Sequence, residues 1–475
     1  MDLFKRWFTG STRYDAAQIS NARERVADAT GDAEQELSQV QLAHILNLTR
    51  QAEANEGIIR EVVNQIDIYT VGDGIRAQSA SADESANDAF DAYFERWARS
   101  RVDSSGRFTL ARCSSLVCRA LLVDGEIYAV KQLNSRGAPE LHFFEAHRVA
   151  DTSREPPESG WHQGIQFRNG KPAAYRFVLD DGRAQDFPAE SVIHVFEAHR
   201  PTDIHGVSPF QHALREIQDA KELLALVKKK GKLQETIAIA VTGNRFAGQG
   251  STAGLVDVSD APATDPDALS SRSDPDALYR ITGAKALLLQ EGETAQSFAA
   301  NSPSPEFFQA YEKLQKIALN GTLPYEFVVD PSAVGGAGVR LVVGKAARFF
   351  DRMQALVISE FLMPVRKFVI GSAIVAGKLP AVEDWTEAEW SVPKSVTVDA
   401  GREREQDRAD VLNGFSTLSD YYAVRGKDFR RDLKLWARDA RAIRAAEKQA
   451  GEQFPYHTAA AASPVPAPST PSAVS

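Results

Sequence analysis

DFPAESVIHVFEAHRPTDIHGVSPFQHALREIQDAKELLALVKKKGKLQETIAIAVTG, residues Asp186 to Gly243, runs from an apolar strand through a turn into a long helix and on to a second strand. Ile193, Val195 and Phe196 form a short β-rich run, which Pro201, Asp203 and Gly206 end with turn-favouring residues. Ser208 is placed to cap a helix, with Pro209 at the first helical position, where a missing N–H costs nothing, and Gln211 three residues on, as a capping box requires. Phe210, Leu214, Ile217, Leu224 and Val227 recur at helical spacing as one apolar stripe, interrupted by Lys221. Gly231 is the expected stop, giving a helix of roughly 22 residues, about 33 Å long. Lys228, Lys229, Lys230 and Lys232 then crowd its last turn, either because cations suit the negative end of the helix dipole or as a plain solvated cap.

Composition bounds what surrounds this block. A chain of 475 residues that is 43% hydrophobic can bury a large core and is long enough for two to four domains. No apolar run approaches the ~18 residues of a membrane span. The opening MDLFKRWFTGSTRYD lacks a charged segment followed by an apolar one, so neither membrane insertion nor secretion is expected. Cys113 and Cys118 are the only cysteines, spaced five apart, which fits neither a CxxC redox pair nor a zinc knuckle; both are expected to be reduced.

Along the chain the periodicity predicts a helix-rich start over 16–66, with Leu37, Val40, Leu42, Ile45 and Leu48, then Ile59, Val62, Val63 and Ile66, as its stripes. A strand is expected over Ile68 to Val71, a helix over 85–99 with Phe90, Tyr93, Phe94 and Trp97 on one face, and another over Leu110 to Leu121. From 122 to 197 the pattern turns to strands, with hairpins at Asn169-Gly170 and Asp181-Gly182. After the strand TIAIAVTG come about 35 polar residues in which DPDAL occurs twice, at Asp265 to Leu269 and Asp274 to Leu278; two copies are too few for a solenoid, and a flexible acidic loop is expected. Residues 305–320 give a second helix, with Phe308, Tyr311, Leu314 and Ile317 on one face, expected to pair antiparallel with the first. Gly335, Gly336 and Gly338 fall within four residues, a stretch able to adopt positive φ. Helices follow over about 400–451, and the tail from Phe454, rich in Ala, Pro and Ser, lacks a core-forming pattern.

The central block, HVF at His194 to Phe196, a charged turn, GVSP at Gly206 to Pro209 and then the helix, resembles the lambda-type portal proteins of tailed bacteriophages. PAESVIHVF at Pro188 to Phe196 extends the likeness. VGDGI at Val71 to Ile75, DGEIY at Asp124 to Tyr128 and LMPVRKFVIGSAIVAGKL at Leu362 to Leu379 are similar to other stretches of that family in the same order, covering roughly residues 40 to 380. The resemblance implies an α+β portal fold: an N-terminal region and wing over 1–206, a first stem helix over 207–234, a small β-rich clip over 235–304, a second stem helix over 305–322, a tunnel loop region over 323–345, a long helix and return to the wing over 346–400 and a helical crown over 401–451; the Ala/Pro/Ser-rich tail over 452–475 is expected to be disordered from its composition and has no counterpart in the family. It also implies a homo-oligomeric ring, a 12-mer, at one vertex of the virion, made in the host cytoplasm. Double-stranded DNA would pass through it non-specifically, and the terminase large subunit, the head–tail connector and the major capsid protein would dock on it. Val334, Gly335, Gly336, Gly338, Arg340, Lys345 and Arg348 would then lie at the constriction, and Lys228, Lys229, Lys230 and Lys232 at the stem–clip junction. A net charge of −9 fits such a conduit, because a mildly repulsive wall with local basic patches keeps phosphate contacts few.

Local chemistry points away from catalysis, cofactors and metals. GVRLVVGKA lacks a P-loop's spacing, with Val339 where the first glycine belongs and Ala346 where Ser or Thr would ligate magnesium. His194, His199, His205 and His212 are spaced so that no helix face gathers them, and HExxH and G-x-S-x-G are absent. The competing reading is a nucleic-acid-modifying enzyme or nuclease with a site dispersed over loops.

Overall fold

The computed structural model describes residues 31–32, 36–236, 240–243, 278–281, 284–287, 293–296, 305–330, 334–393, 396, 400–423 and 429–451. The DPDAL repeat up to Ala277 and the C-terminal tail from Glu452 lie outside these residues. Helix α1 (Gln39–Asn55) starts at a capping box in which Ser38 and Gln41 bond reciprocally, and α2 (Gly57–Thr70) follows it. The face that α1 buries is Leu46, Thr49 and Ala52, and Val40 points to solvent. No strand forms over Ile68 to Val71. The helical period of Ile59, Val62, Val63 and Ile66 runs on to a buried Thr70, and the chain turns only at Gly72 and Gly74, both at positive φ. Strand β1 (Arg76–Ser79), α3 (Glu84–Arg99) and α4 (Leu110–Val123) come next.

Seven strands follow: β2 (Glu126–Leu133), β3 (Pro139–Glu145), β4 (Trp161–His162), β5 (Ile165–Arg168), β6 (Lys171–Val178), β7 (Ala184–Pro188) and β8 (Val192–Phe196). They form two antiparallel sheets, ordered β3-β2-β8 and β4-β5-β6-β7. Asn169 and Gly170 both take positive φ at the β5–β6 hairpin, as does Gly182 between β6 and β7. Successive β2 side chains face opposite ways. Ile127 and Ala129 enter a large helical core with α2, α3 and α4, whereas Tyr128 and Val130 join Phe144, Ile165, Tyr175 and Phe177 in a second core between the sheets.

Beyond β8 the backbone is wedged in place. A Cβ on Gly206 would stand 2.1 Å from the Gly125 carbonyl oxygen, and one on Gly125, at φ +89, would meet Val207 at 2.5 Å. Ser208 Oγ donates to the Leu122 carbonyl at 2.6 Å and accepts from the Phe210 amide, not from Gln211. The expected helix therefore opens as a 3-10 turn at Gln211–Ala213 and becomes α5 only at Leu214–Thr236. Gly231 does not stop it, because a single glycine costs only about 1 kcal/mol within a helix; the next strand begins at Ala240, not at Thr236.

Among the described residues between α5 and the next long helix are two antiparallel pairs: β9 (Ala240–Gly243) with β12 (Glu293–Gln296), and β10 (Leu278–Ile281) with β11 (Ala284–Leu287). Helix α6 (Pro305–Ala318) packs on α5, and its end, with buried Ala318 and Leu319, joins Phe210, Ala213 and Ile217 at the start of α5, so the two helices run antiparallel. After a short α7 (Tyr325–Val328) come α8 (Gly336–Val357), a π turn at Ile358–Leu362 and α9 (Met363–Val375), helical throughout. The π turn sits where Pro364 withholds the amide that an α-helix would bond to Glu360. Gly377, at φ +69, ends α9 before Leu379. Buried Arg366 donates to the Trp385 and Thr386 carbonyls and to Ser79 Oγ, tying α9 to β1 and its partner β13 (Ala388–Ser391). Helices α10 (Ala400–Leu412), α11 (Leu418–Ala423) and α12 (Phe429–Ala450) complete the described chain.

Replacing Gly206 with Ala forces two backbones apart and should destabilise the protein by about 1–3 kcal/mol, as overpacking does. Gly182→Ala, in open space, should cost about 1 kcal/mol from its φ alone. Urea denaturation of the two variants beside the parent checks the order.

Candidate nucleic-acid interface

Of the seven residues expected at a tunnel loop, Gly336, Gly338, Arg340, Lys345 and Arg348 lie within helix α8, and Val334 stands in a bend just before it. Gly335 is the N-cap of α8 at φ −60, Gly336 and Gly338 lie in its first turn, and none of the three takes positive φ. The glycines tolerate the αL region but do not demand it, and the apolar period of the following residues extends back over them. A Cβ on Gly338 would stand 2.2 Å from Val334 Cγ1, so this glycine leaves room for the half-buried Val334 side chain.

Helix α8 divides cleanly. Ala346, Phe350, Met353 and Val357 are buried in the large core, and Arg340, Lys345, Arg348 and Arg352 lie on the opposite, exposed side together with Leu341 and the acidic Asp351. Arg352 is bound by Glu197, its Nε 2.7 Å from the carboxylate. Three of the expected basic residues, Arg340, Lys345 and Arg348, thus share one helix side. The Gly344–Lys345 pair falls mid-helix, where no phosphate-cradling loop exists.

The lysine cluster is placed differently from expectation. Lys228 and Lys229 are exposed on α5, but the helix continues to Thr236 and no basic residue stands in its last turn, so the helix dipole does not account for the cluster. Lys230 and Lys232 belong to the helix backbone, and their side chains are outside the described set.

One constellation was not anticipated. His194 and His205 converge on Glu126 in the interior, a ring nitrogen of each and a carboxylate oxygen lying within 4.8 Å of one another, while His199 is exposed in the turn beyond β8. His194 Nε2 lies 3.1 Å from Glu126 Oε2, and His205 Nδ1 lies 3.1 Å and 3.0 Å from Oε1 and Oε2. Such a trio has the donor types of a metal site, and it also forms a complete hydrogen-bond network. Alternation along β8 puts His194 on the opposite face from Ile193 and Val195, and that signal was readable. The arrival of Glu126 and His205 depends on β2 pairing and on the Gly125–Gly206 contact, which spacing along the chain does not reveal.

Neither thiol is a usable nucleophile. Burial pushes Cys113 up to about 12, aided by the charge of Asp103, and raises Cys118 in the same way beside Asp67.

The sequence matches the family model for phage portal protein, lambda family, over residues 20–354. Among solved structures, a chain in the neck of an empty gene transfer agent particle computed with C6 symmetry is similar at 17% identity and a TM-score of 0.50, over 81% of this chain and 93% of that one. A chain in the virion of a native gene transfer agent particle gives 18% identity and a TM-score of 0.49 over 81% and 93%. An HK97 family phage portal protein from Corynebacterium diphtheriae gives 10% identity and a TM-score of 0.38 over 70% and 99%. No curated protein matches the sequence. The family match spans well over half of the chain: this protein belongs to the lambda family of phage portal proteins. That family is structural rather than enzymatic. Among the described residues no helix is long and apolar enough to cross a membrane.

The native protein should be inert to a disulfide reagent at mildly alkaline pH, and both cysteines should react once it is denatured. Rapid labelling of folded protein, read by mass spectrometry, would contradict their burial.

Proposed function

We propose that twelve copies of this chain form a closed ring at one capsid vertex, with the exposed side of α8 turned toward a central channel through which double-stranded DNA passes during packaging and ejection. Membership of the portal family carries this reading, and the segregation of charge on α8 supports it. A helix with one side in the core and Arg340, Lys345 and Arg348 on the other can present a basic rim without a mobile loop. Repeated round a ring, those rims make a local attractive band in a chain whose net charge is −9, enough to centre the duplex and too little to hold it.

In this arrangement the antiparallel pair α5 and α6 is the stem, and the paired strands between them are the clip. The clip is the proposed docking point for the terminase large subunit and later the head–tail connector, with Lys228 and Lys229 along the approach to it. The outer surface of the paired sheets meets the major capsid protein. The energy for DNA movement comes from the partner motor.

The double variant Arg340→Glu with Arg348→Glu should assemble rings normally, because neither side chain enters the core, yet package less DNA per particle. Raising the salt should recover part of the loss, since the screening length is about 10 Å at 0.1 M ionic strength. Unchanged packaging by the variant would remove α8 from the channel wall.

A further inference from the structure

The buried Glu126 carboxylate faces two histidine rings, and the contacts of each ring bear on which nitrogens carry hydrogen. His205 Nε2 lies 3.0 Å from the Gln163 carbonyl oxygen, which can only accept, so Nε2 carries a hydrogen. The other ring nitrogen, Nδ1, faces both oxygens of Glu126. A neutral ring would aim its lone pair at a carboxylate there. Tyr128 Oη is also near Nδ1, at 3.2 Å, but farther than either carboxylate oxygen.

We infer that His205 is held as an imidazolium against the Glu126 carboxylate, and that this buried ion pair is a proton-dependent latch fastening the root of α5 to the paired sheets. With one added proton every contact has a donor and an acceptor. His205 donates from both nitrogens, neutral His194 donates from Nε2, and the Gly206 amide donates to Oε2 at 3.0 Å. The pocket is then electrically neutral. A divalent metal ion at the same point would leave a buried net charge of +1 and would need the His194 lone pair where a donated hydrogen now satisfies the carboxylate.

The latch joins elements far apart in sequence: Glu126 and Tyr128 on β2, His194 on β8, Gln163 between β4 and β5, and His205 with Gly206 on the lead into α5. The other titratable groups facing it are Tyr175 of β6 and Glu360 of the π turn, whose charge acts on His194. Burial and the Glu126 charge push Tyr175 up to about 12 and Tyr128 well above the ordinary phenol range, so both stay neutral. For His205, burial alone would lower the value, but the Glu126 carboxylate outweighs it and raises it. Burial lowers His194 despite Glu126, and Glu126 itself, though burial opposes it, is held well below the usual carboxylate range by the two histidines.

The sign follows from these directions. A raised His205 contributes stability that is complete below the unfolded value of about 6.5 and is lost as pH rises through the folded one. The lowered His194 and Glu126 act oppositely, their contribution being lost as pH falls, so the alkaline side belongs to His205.

Hydrogen exchange of the full-length protein, corrected for intrinsic rates, tests the latch. Between about pH 6.5 and the folded His205 value, the opening equilibrium of peptides spanning 197–220 should rise about tenfold per pH unit. Glu126→Gln should abolish that slope, because its amide can donate to a neutral Nδ1, and His205→Gln should abolish it as well. Should neither variant fold, the slope of 197–220 in the parent against that of α4, where none is expected, still decides. A flat parent profile, an unchanged slope in Glu126→Gln, or about one equivalent of bound zinc per chain on elemental analysis would overturn the proposal.

Discussion

From Glu126 to Val130 strand β2 has no face in water, and the remainder of the structure depends on that. Its odd-numbered residues Ile127 and Ala129 sit in the helical core, and its even-numbered Tyr128 and Val130 sit in the core between the sheets. A strand buried on both sides must be fixed in register, because a one-residue slip would exchange the two sets and carry Glu126 into the apolar helical core. Pairing on both edges, with β3 and β8, supplies that register. Gly125, immediately before β2, then has only one place to meet the incoming Gly206, and from that contact the direction of α5 is set.

The same constraint reaches α8. The core that receives Ile127 from one side receives Phe350, Met353 and Val357 of α8 from another, so one side of that long helix is committed to packing. Its basic residues are left on the other side. The separation of these basic residues from the core is thus a by-product of core formation, and it needs no loop. Arg366 secures the far end by donating to the part-buried Trp385 and Thr386 carbonyls and to buried Ser79.

Sequence reading succeeded where local chemistry and tertiary packing agree. The hairpins at Asn169-Gly170 and Asp181-Gly182, the helices over 85–99 and 110–121 and the antiparallel helix pair were all legible, because turn residues and apolar period decide them on the spot. It failed where a distant partner decides. Ser208 looked like a capping-box residue but is drawn to the Leu122 carbonyl, which delays the α-helix to Leu214. Gly335, Gly336 and Gly338 looked like a loop, yet begin a helix that the core stabilises further along. Of the candidate interface, the shared side of Arg340, Lys345 and Arg348 could have been found from helical spacing had the glycines not suggested otherwise. The trio of Glu126, His194 and His205 could not, since its members come from three elements that spacing along the chain does not unite.

The central claim is that this portal protein closes into a ring with the basic side of α8 facing the channel. Electron microscopy of purified, assembled protein, with the α8 density located, measures that directly. The account predicts a closed ring with a central channel and with Arg340, Lys345 and Arg348 directed toward the axis. A protein that stays monomeric under assembly conditions, or a ring in which that side of α8 faces outward or is buried between neighbours, would contradict it.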